Sequence, residues 1–331
     1  MKMLFFDTHP FEKEAFEKAN TALKHEIHFV EPRLIESTAL LAKDYPCVCA
    51  FANDRLNYEV LRILQRGGTK LLALRSAGFN HVDLKAAKEL SLRVVRVPEY
   101  SPYAIAEHVV AMIQTLNRKT HKAYNRVREG NFSLDGLVGF DLHGKTIGII
   151  GTGRIGAVLA RIMTGFGCRV LLHDLKSDAN LVGELHCQYT ELKEIFQQSD
   201  IISLHVPLNP ETKHFIDDNA LTMMKKGVML INTGRGALID TKALIRALKT
   251  GQVGYAGLDV YEEEEGVFFQ DLSGQILGDD TLARLLTFPN VLITSHQGFL
   301  THQALSNIAE TTLQNVTEFE AGEKLKNEVG A

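Results

Sequence analysis

Gly151, Gly153 and Gly156 open the segment GTGRIG, directly after the apolar run Thr146–Ile150 and at the head of an amphipathic stretch. In such a strand–turn–helix setting the first glycine allows the tight turn and the second lets backbone approach a pyrophosphate. The third permits close helix packing, while the helix start supplies N–H donors and a positive dipole end. A second apolar run, RVLLHD, ends in Asp174, about 20 residues on, where a carboxylate would grip the ribose hydroxyls of a dinucleotide. Its charge repels a 2′-phosphate, and neither Leu175 nor Lys176 is a phosphate-accepting arginine. The spacing therefore points to NAD over NADP, although Lys176 softens that preference. The plainer alternative is a glycine turn in a structural βαβ unit followed by a solvated carboxylate.

Three further segments put polar side chains where apolar runs end, the edge at which open α/β sheets bind ligands. In VMLINTGRGALID the run stops at Asn232. Thr233, Gly234, Arg235 and Gly236 then turn toward a helix capped by Asp240. Arginine offers a planar fork suited to two-point contact with a carboxylate. GLDVYEEEEG leads a strand into Glu262–Glu265, and NVLITSHQGF places His296 just past a strand, between Ser295 and Gly298. Taken singly these read as a surface turn, a solvated acidic loop and one of 13 histidines. Together they offer an anion fork, a carboxylate and a proton donor.

The chain resembles the D-isomer-specific 2-hydroxyacid dehydrogenases, closest to the fermentative D-lactate dehydrogenase branch. The matching pieces are RSAGFNHVD at 75–83, AEH at 106–108, GTGRIG at 151–156, HVPLNPET at 205–212, NTGRGALID at 232–240, GLDVYEEE at 257–264 and HQGFLT at 296–301. The resemblance implies an NAD-dependent enzyme that reduces pyruvate to D-lactate with NADH. The alternatives are a dehydrogenase for a larger 2-keto acid, or a non-catalytic NAD-sensing protein of the corepressor type. A formate-type dehydrogenase is disfavoured, because that branch pairs the histidine with glutamine.

Carried over residue by residue, the resemblance makes Arg235 the group that holds the keto acid, His296 the acid/base and Glu264 its carboxylate partner. The register among the glutamates follows the family's E-x-E pattern, Glu262 then Glu264. For the cofactor it implies Gly151, Gly153, Arg154, Ile155 and Gly156 at the pyrophosphate and Asp174 at the ribose. Val206, Pro207 and Thr212 fall on the adenosine side, and Thr233, Gly234 and Asp259 on the nicotinamide side. For the substrate it implies backbone N–H groups at Ala77 and Gly78, the Arg235 fork, and aromatic walls from Tyr100 and Phe299. Two departures stand out: Ser295 where many relatives carry proline, and Gly234 where many lactate enzymes carry serine. In chemical terms, His296 would protonate the oxygen that becomes an alcohol, Glu264 would fix the ring, and Arg235 would polarise the carbonyl.

These residues need an α/β frame. The first third alternates β-rich runs (Met3–Phe6, Ile27–Val30, Cys47–Phe51, Leu71–Arg75, Leu92–Val97) with helical stretches such as Phe11–Leu23 and Tyr58–Arg66. A second series runs through Thr146–Ile150, Arg169–His173, Ile201–Val206, Val228–Asn232, Val253–Val260 and Val291–Thr294. Between them Tyr103–Arg128, without Pro or Gly, reads as one long helix ending at Gly130, and Thr301–Glu320 reads as a closing helix. The expected fold is α/β, with two Rossmann-like or flavodoxin-like doubly wound parallel-sheet domains and an active-site cleft between them. Residues 1–100 and 299–331 would form a discontinuous substrate domain, and 101–298 the NAD domain.

The 331 residues fit about two domains. With 36 Lys+Arg against 40 Asp+Glu and no basic block, nucleic acid is not an expected partner. No uncharged apolar stretch reaches the roughly 18 residues of a membrane span, and Leu4–Phe6 is too short for a signal-peptide core, so a cytoplasmic protein is expected. The four cysteines include the pair Cys47 and Cys49 in an apolar run, without a second pair at zinc spacing, so neither a metal nor a disulfide is expected. The Tyr103–Arg128 stretch resembles the family's dimer contact, which implies a homodimer, with tetramer formation left open.

Overall fold

The computed structural model describes residues 1–330. Five parallel strands form the first sheet: β1 (Lys2–Phe5), β2 (Glu26–Phe29), β3 (Cys47–Ala50), β4 (Leu71–Leu74) and β5 (Arg93–Val95), in the order β2-β1-β3-β4-β5. Its inner strands CVCA and LLAL are buried at every residue, as expected where helices cover both faces of a parallel sheet. The helix Tyr58–Arg66 is started by Asn57, whose side chain accepts from the N–H of Val60, and it buries Val60, Leu61 and Leu64 on the sheet.

Seven parallel strands form the second sheet: β6 (Thr146–Ile150), β7 (Arg169–His173), β8 (Gln188–Tyr189), β9 (Ile201–Leu204), β10 (Val228–Asn232), β11 (Val253–Leu258) and β12 (Val291–Ile293). Their order is β12-β11-β10-β9-β6-β7-β8. The direction of winding reverses between β6 and β9, which makes the carboxyl end of that pair the switch-point crevice of the sheet. β10, β11 and β12 are successive neighbours, so the three loops that leave them start side by side, about 4.8 Å apart strand to strand.

The chain divides into two compact units, Met1–Ser101 with the chain from Leu300 onward, and Pro102–Phe299. Ser101 and Phe299 thus lie on the opposite sides of the expected boundaries. A helix begins at Pro102, and the Gly298 N–H is tied at 2.9 Å to Asp259 of the second unit, which holds the following Phe299 there.

The expected single helix over Tyr103–Arg128 is two, Pro102–Arg118 and Thr120–Arg128, broken at Lys119 with φ +52°. The cause is a loop docked on the break. Asn117 accepts from Phe140 N (2.8 Å) and donates to Phe140 O (2.7 Å), and a Cβ at Gly139 would stand 2.7 Å from Asn117 O. All five strands of the first sheet, and β9, β11 and β12 of the second, end one or two residues earlier than expected; β9 and β11 stop at Leu204 and Leu258, where the chain turns into the segments of Val206 and Asp259. All four cysteines are free. Among the described residues no cluster of metal-ligating side chains occurs, and no helix is long and apolar enough to cross a membrane.

Candidate active site

The glycine turn has the geometry that its sequence implies. Gly151 has φ +95°, and a Cβ there would stand 2.6 Å from the backbone of His205 and 2.8 Å from Val206 N, so the turn lies against the chain leaving β9 at the switch point. Gly153 is the N-cap of the helix Arg154–Gly165, and a Cβ there would meet nothing within 4 Å, which leaves the approach to the helix start open. Gly156 is the reverse case: a Cβ would fall 2.0 Å from Gly151 O, so only glycine allows this helix to sit so close to the turn. Arg154 is exposed and Ile155 half-buried on the first helical turn, whose N–H groups lie ahead of the intrahelical ladder.

Asp174 follows β7 and is held by the glycine turn itself. Its Oδ2 accepts from Thr152 N at 2.6 Å and from Thr152 Oγ1 at 3.2 Å, and Oδ1 accepts from Lys176 N at 3.2 Å. Burial works to raise the carboxyl, but these bonds outweigh it and hold it below the usual carboxylate range. Tyr189 OH lies 2.7 Å from Thr152 Oγ1. With the single Thr152 proton directed to the carboxylate, the tyrosine is the donor. On the other side of the crevice Val206 and Pro207 leave β9, and Thr212 closes that loop by donating to Pro207 O at 2.7 Å and exchanging bonds with Asn209.

At the end of β10 the buried Asn232 pins both sides of the next turn, its Oδ1 accepting from Gly234 N (3.0 Å) and its Nδ2 donating to Arg235 O (2.8 Å). Thr233 is buried, and its hydroxyl has no partner among the described residues. Arg235 spends one N–H on Gly234 O at 2.7 Å, and no other protein acceptor of its fork occurs among the described residues. A Cβ at Gly234 would come no nearer than 3.4 Å to Leu238, so the serine of many relatives would fit here. Gly236 is different: a Cβ would fall 2.0 Å from the Tyr261 carbonyl carbon, which fixes the arginine turn directly against the start of the acidic loop.

The four glutamates separate by partner. Glu262 pairs with His214 Nε2 and accepts from Thr241 Oγ1 at 3.1 Å, anchoring the loop. Glu263 and Glu265 are exposed. Glu264 places Oε1 2.9 Å from Nδ1 of His296, with both side chains about one-fifth exposed, and its Oε2 accepts from Tyr261 N at 3.3 Å. The Phe269 ring lies 5.9 Å from the imidazole, centroid to centroid. Nε2 of His296 has no protein partner among the described residues, which leaves it as the nitrogen free to exchange a proton.

His296 sits in a strained turn, with Ser295 at φ +54° and His296 at φ +55°. The proline that many relatives carry at 295 could not adopt this angle, since its ring locks φ near −65°. Asp259 holds the turn. Its backbone O accepts from His296 N, Oδ1 accepts from Gln297 N (2.8 Å) and Thr294 Oγ1 (2.6 Å), and Oδ2 accepts from Gly298 N (2.9 Å). Burial pushes this carboxyl up, but hydrogen bonds from His108 and Thr294 and the nearby His108 and His296 rings hold it below the usual range.

In the first unit, Ala77 and Gly78 lie on the loop after β4 with no acceptor for their N–H groups among the described residues. The loop is fixed from behind. Arg96 donates to Ala77 O at 2.6 Å, Ser76 Oγ donates to Gly78 O at 2.8 Å, and the fully buried Arg75 pairs with Glu12 at 2.8 Å and donates to Phe6 O and Asp7 O. Tyr100 is half-buried, and its carbonyl accepts from Asn307; Phe299 is half-buried at the end of the second unit.

Sequence reasoning assigned no role to Thr152, Tyr189, His108, Thr294, Glu12 or Arg75, which hold these groups in place. Four lie within quoted segments, Arg75 in RSAGFNHVD, His108 in AEH, Thr152 in GTGRIG and Thr294 in NVLITSHQGF, while Tyr189 and Glu12 carried no signal. All six act through contacts between residues far apart in the chain. Within the second unit, the loops leaving three neighbouring strands carry a guanidinium fork, an imidazole paired with a carboxylate, and a buried hydroxyl. The glycine turn and its helix start lie at the switch point of the same sheet. That set suits a dinucleotide and a small oxyacid, and it provides proton transfer to an oxygen. The orphaned Thr233 hydroxyl and the open approach at Gly153 are what a bound dinucleotide would use.

Residues 110–298 match the family described as D-isomer specific 2-hydroxyacid dehydrogenase, NAD binding domain. The chain is 52% identical over 320 residues to 2-hydroxyacid dehydrogenase homolog 1 of Schizosaccharomyces pombe, covering 96% of each protein. It is 48% identical over 329 residues to the D-lactate dehydrogenase of Escherichia coli, covering 99% of this chain and 100% of that protein. A solved structure described as the pyruvate reductase of Chlamydomonas reinhardtii superposes with a TM-score of 0.93 at 44% identity, covering 99% of this chain and 98% of the other.

Proposed function

The chain belongs to the D-isomer-specific 2-hydroxyacid dehydrogenase family, an NAD-binding family of oxidoreductases, and on that premise we propose that it reduces pyruvate to D-lactate with NADH. The observation that carries the reading is the His296–Glu264 pair together with the Arg235 fork, on loops that leave neighbouring strands. The names of the E. coli and Chlamydomonas relatives support a three-carbon keto acid as substrate. The cofactor, when bound, supplies a hydride.

The rest falls to this chain's own residues. Arg235 takes the substrate carboxylate in two-point contact and draws charge onto the carbonyl oxygen. His296, with Nδ1 fixed by Glu264, hands its proton to that oxygen from Nε2, and in the oxidative direction takes it back. Ala77 and Gly78 offer N–H groups to the carboxylate, and Tyr100 and Phe299 wall off the methyl side. For the cofactor, Gly151, Gly153, Arg154, Ile155 and Gly156 hold the pyrophosphate and Asp174 the ribose. Val206, Pro207 and Thr212 line the adenosine, and Thr233, Gly234 and Asp259 the nicotinamide. The enzyme works as a homodimer, a reading supported by the exposed apolar side chains of Tyr103, Tyr124, Val127, Phe132, Leu134 and Val138. A cytoplasmic setting is supported by the free thiols.

Steady-state oxidation of NADH across a panel of 2-keto acids, with chiral analysis of the product, tests the reading. Pyruvate is expected to show the highest kcat/KM and to yield D-lactate. Preference for a larger keto acid, or an L product, would overturn it.

A further inference from the structure

We propose that His108 is a positioning residue for the proton donor, acting through Thr294 and Asp259 to hold the turn that carries His296; the inference rests on the catalytic reading of His296 given above. His108 lies on the helix Pro102–Arg118, far in sequence from the turn, yet its Nε2 is 3.0 Å from Thr294 Oγ1 and 3.3 Å from Asp259 Oδ1. The direction of the bonds follows from the chemistry. A carboxylate only accepts, so the single Thr294 hydroxyl proton goes to Asp259 at 2.6 Å, and the Thr294 oxygen accepts from His108 Nε2–H. The imidazole therefore closes a chain of donors that ends on a carboxylate buried at 1% exposure.

That carboxylate is what His296 depends on. Its two oxygens accept from the N–H groups of Gln297 and Gly298, and the Asp259 backbone O accepts from His296 N, on a segment where two successive non-glycine residues have positive φ. Such a backbone persists only where its surroundings over-determine it. His108 also lies against the turn sterically, since a Cβ at Gly298 would meet His108 Cδ2 at 3.4 Å and Asp259 Oδ2 at 2.9 Å. Without the His108 donor, the Thr294 hydroxyl is free to rotate and Asp259 loses the 3.3 Å approach of the ring together with the fixed direction of its Thr294 bond. The Nδ1–Glu264 bond then no longer defines where Nε2 stands. The effect belongs to the chemical step, because His108 touches neither the Arg235 turn nor the glycine cradle through any bond among the described residues.

The test compares His108→Met, which removes the donor, with His108→Gln, whose amide N–H can reproduce Nε2–H, and adds Thr294→Val as a second break in the chain. Each full-length variant is assayed for pyruvate reduction, and the imidazole resonances of 13C-histidine-labelled protein are recorded. The expected result for His108→Met and Thr294→Val is a kcat lower by about 10–100-fold, the scale of a small misplacement of a reacting group. The KM for pyruvate should stay within about twofold, with a displaced His296 resonance. His108→Gln should restore both readouts. Full kcat with an unmoved His296 resonance in His108→Met overturns the inference. So does a kcat loss accompanied by an unmoved resonance, or a folded His108→Gln that behaves like the methionine variant. Failure of the unsubstituted protein to reduce pyruvate counts against the proposed function instead, and the resonance comparison still decides the role of His108.

Discussion

Nδ1 of His296 lies 2.9 Å from Oε1 of Glu264, and this contact separates one glutamate from its three neighbours. Glu262 is spent on His214 and Thr241, and Glu263 is exposed. Replacing Glu264 by Gln should lower kcat for keto-acid reduction by about 10–100-fold, within the range of a general acid that has lost its orientation. Glu263→Gln should leave kcat unchanged. Equal losses in the two variants would show that the loop's overall charge matters and the pairing does not.

Arg235 is pinned through its backbone by Asn232 and offers a guanidinium with one internal bond. Lysine at this position keeps the charge and loses the planar fork. Arg235→Lys should raise the KM for the keto acid and lower kcat together, each by at least about tenfold, since both binding and carbonyl polarisation depend on the fork. A rise in KM alone would remove polarisation from its role.

Asp174 owes its position to Thr152, and in the proposed reading its charge faces the ribose, where a 2′-phosphate would come. Asp174→Ser should raise the KM for NADH by about tenfold or more and narrow the preference for NADH over NADPH. Initial rates with the two cofactors measure this. An unaltered ratio would mean that discrimination resides elsewhere in the crevice.

Asp54, 1% exposed in the first unit, accepts from Leu34 N at 2.7 Å and Phe51 N at 2.6 Å. Burial pushes its carboxyl up to about 6 from an ordinary 3.8, against the opposing pull of Arg75 and the two N–H bonds. The folded chain therefore binds this proton more tightly than the unfolded chain. Asp54's contribution to stability falls as pH rises from about 4 to about 6 and is constant above that. Urea unfolding of the wild type and Asp54→Asn across pH 4–7 should show the wild type losing ground to the variant by up to about 3 kcal/mol through that window. A difference that is flat across the window would contradict the burial argument.

Much of this site was legible in the sequence because its carriers are local. The glycine turn, its strand and its helix lie within about 20 residues, and a glycine's need for positive φ or close approach is a property of one position. The end of β10 was legible where its apolar run met Asn232. The break at Lys119 was not, because neither proline nor glycine marks it and its cause is the docking of Phe140 on Asn117. Nor were the roles of His108, Tyr189 and Glu12, each of which acts on a partner in another element of the chain. Glu264 stands between these cases: its register came from a family pattern, and only the folded chain sets it beside the imidazole.

In the proposed reaction His296 delivers the proton to the keto acid. Single-turnover reduction of pyruvate by His296→Gln, followed by NADH absorbance and set beside NADH binding measured by fluorescence, tests it most directly. The expected rate is lower by about 10²–10⁴, with NADH affinity within about twofold of wild type. A variant that reduces pyruvate at close to the wild-type rate would contradict it.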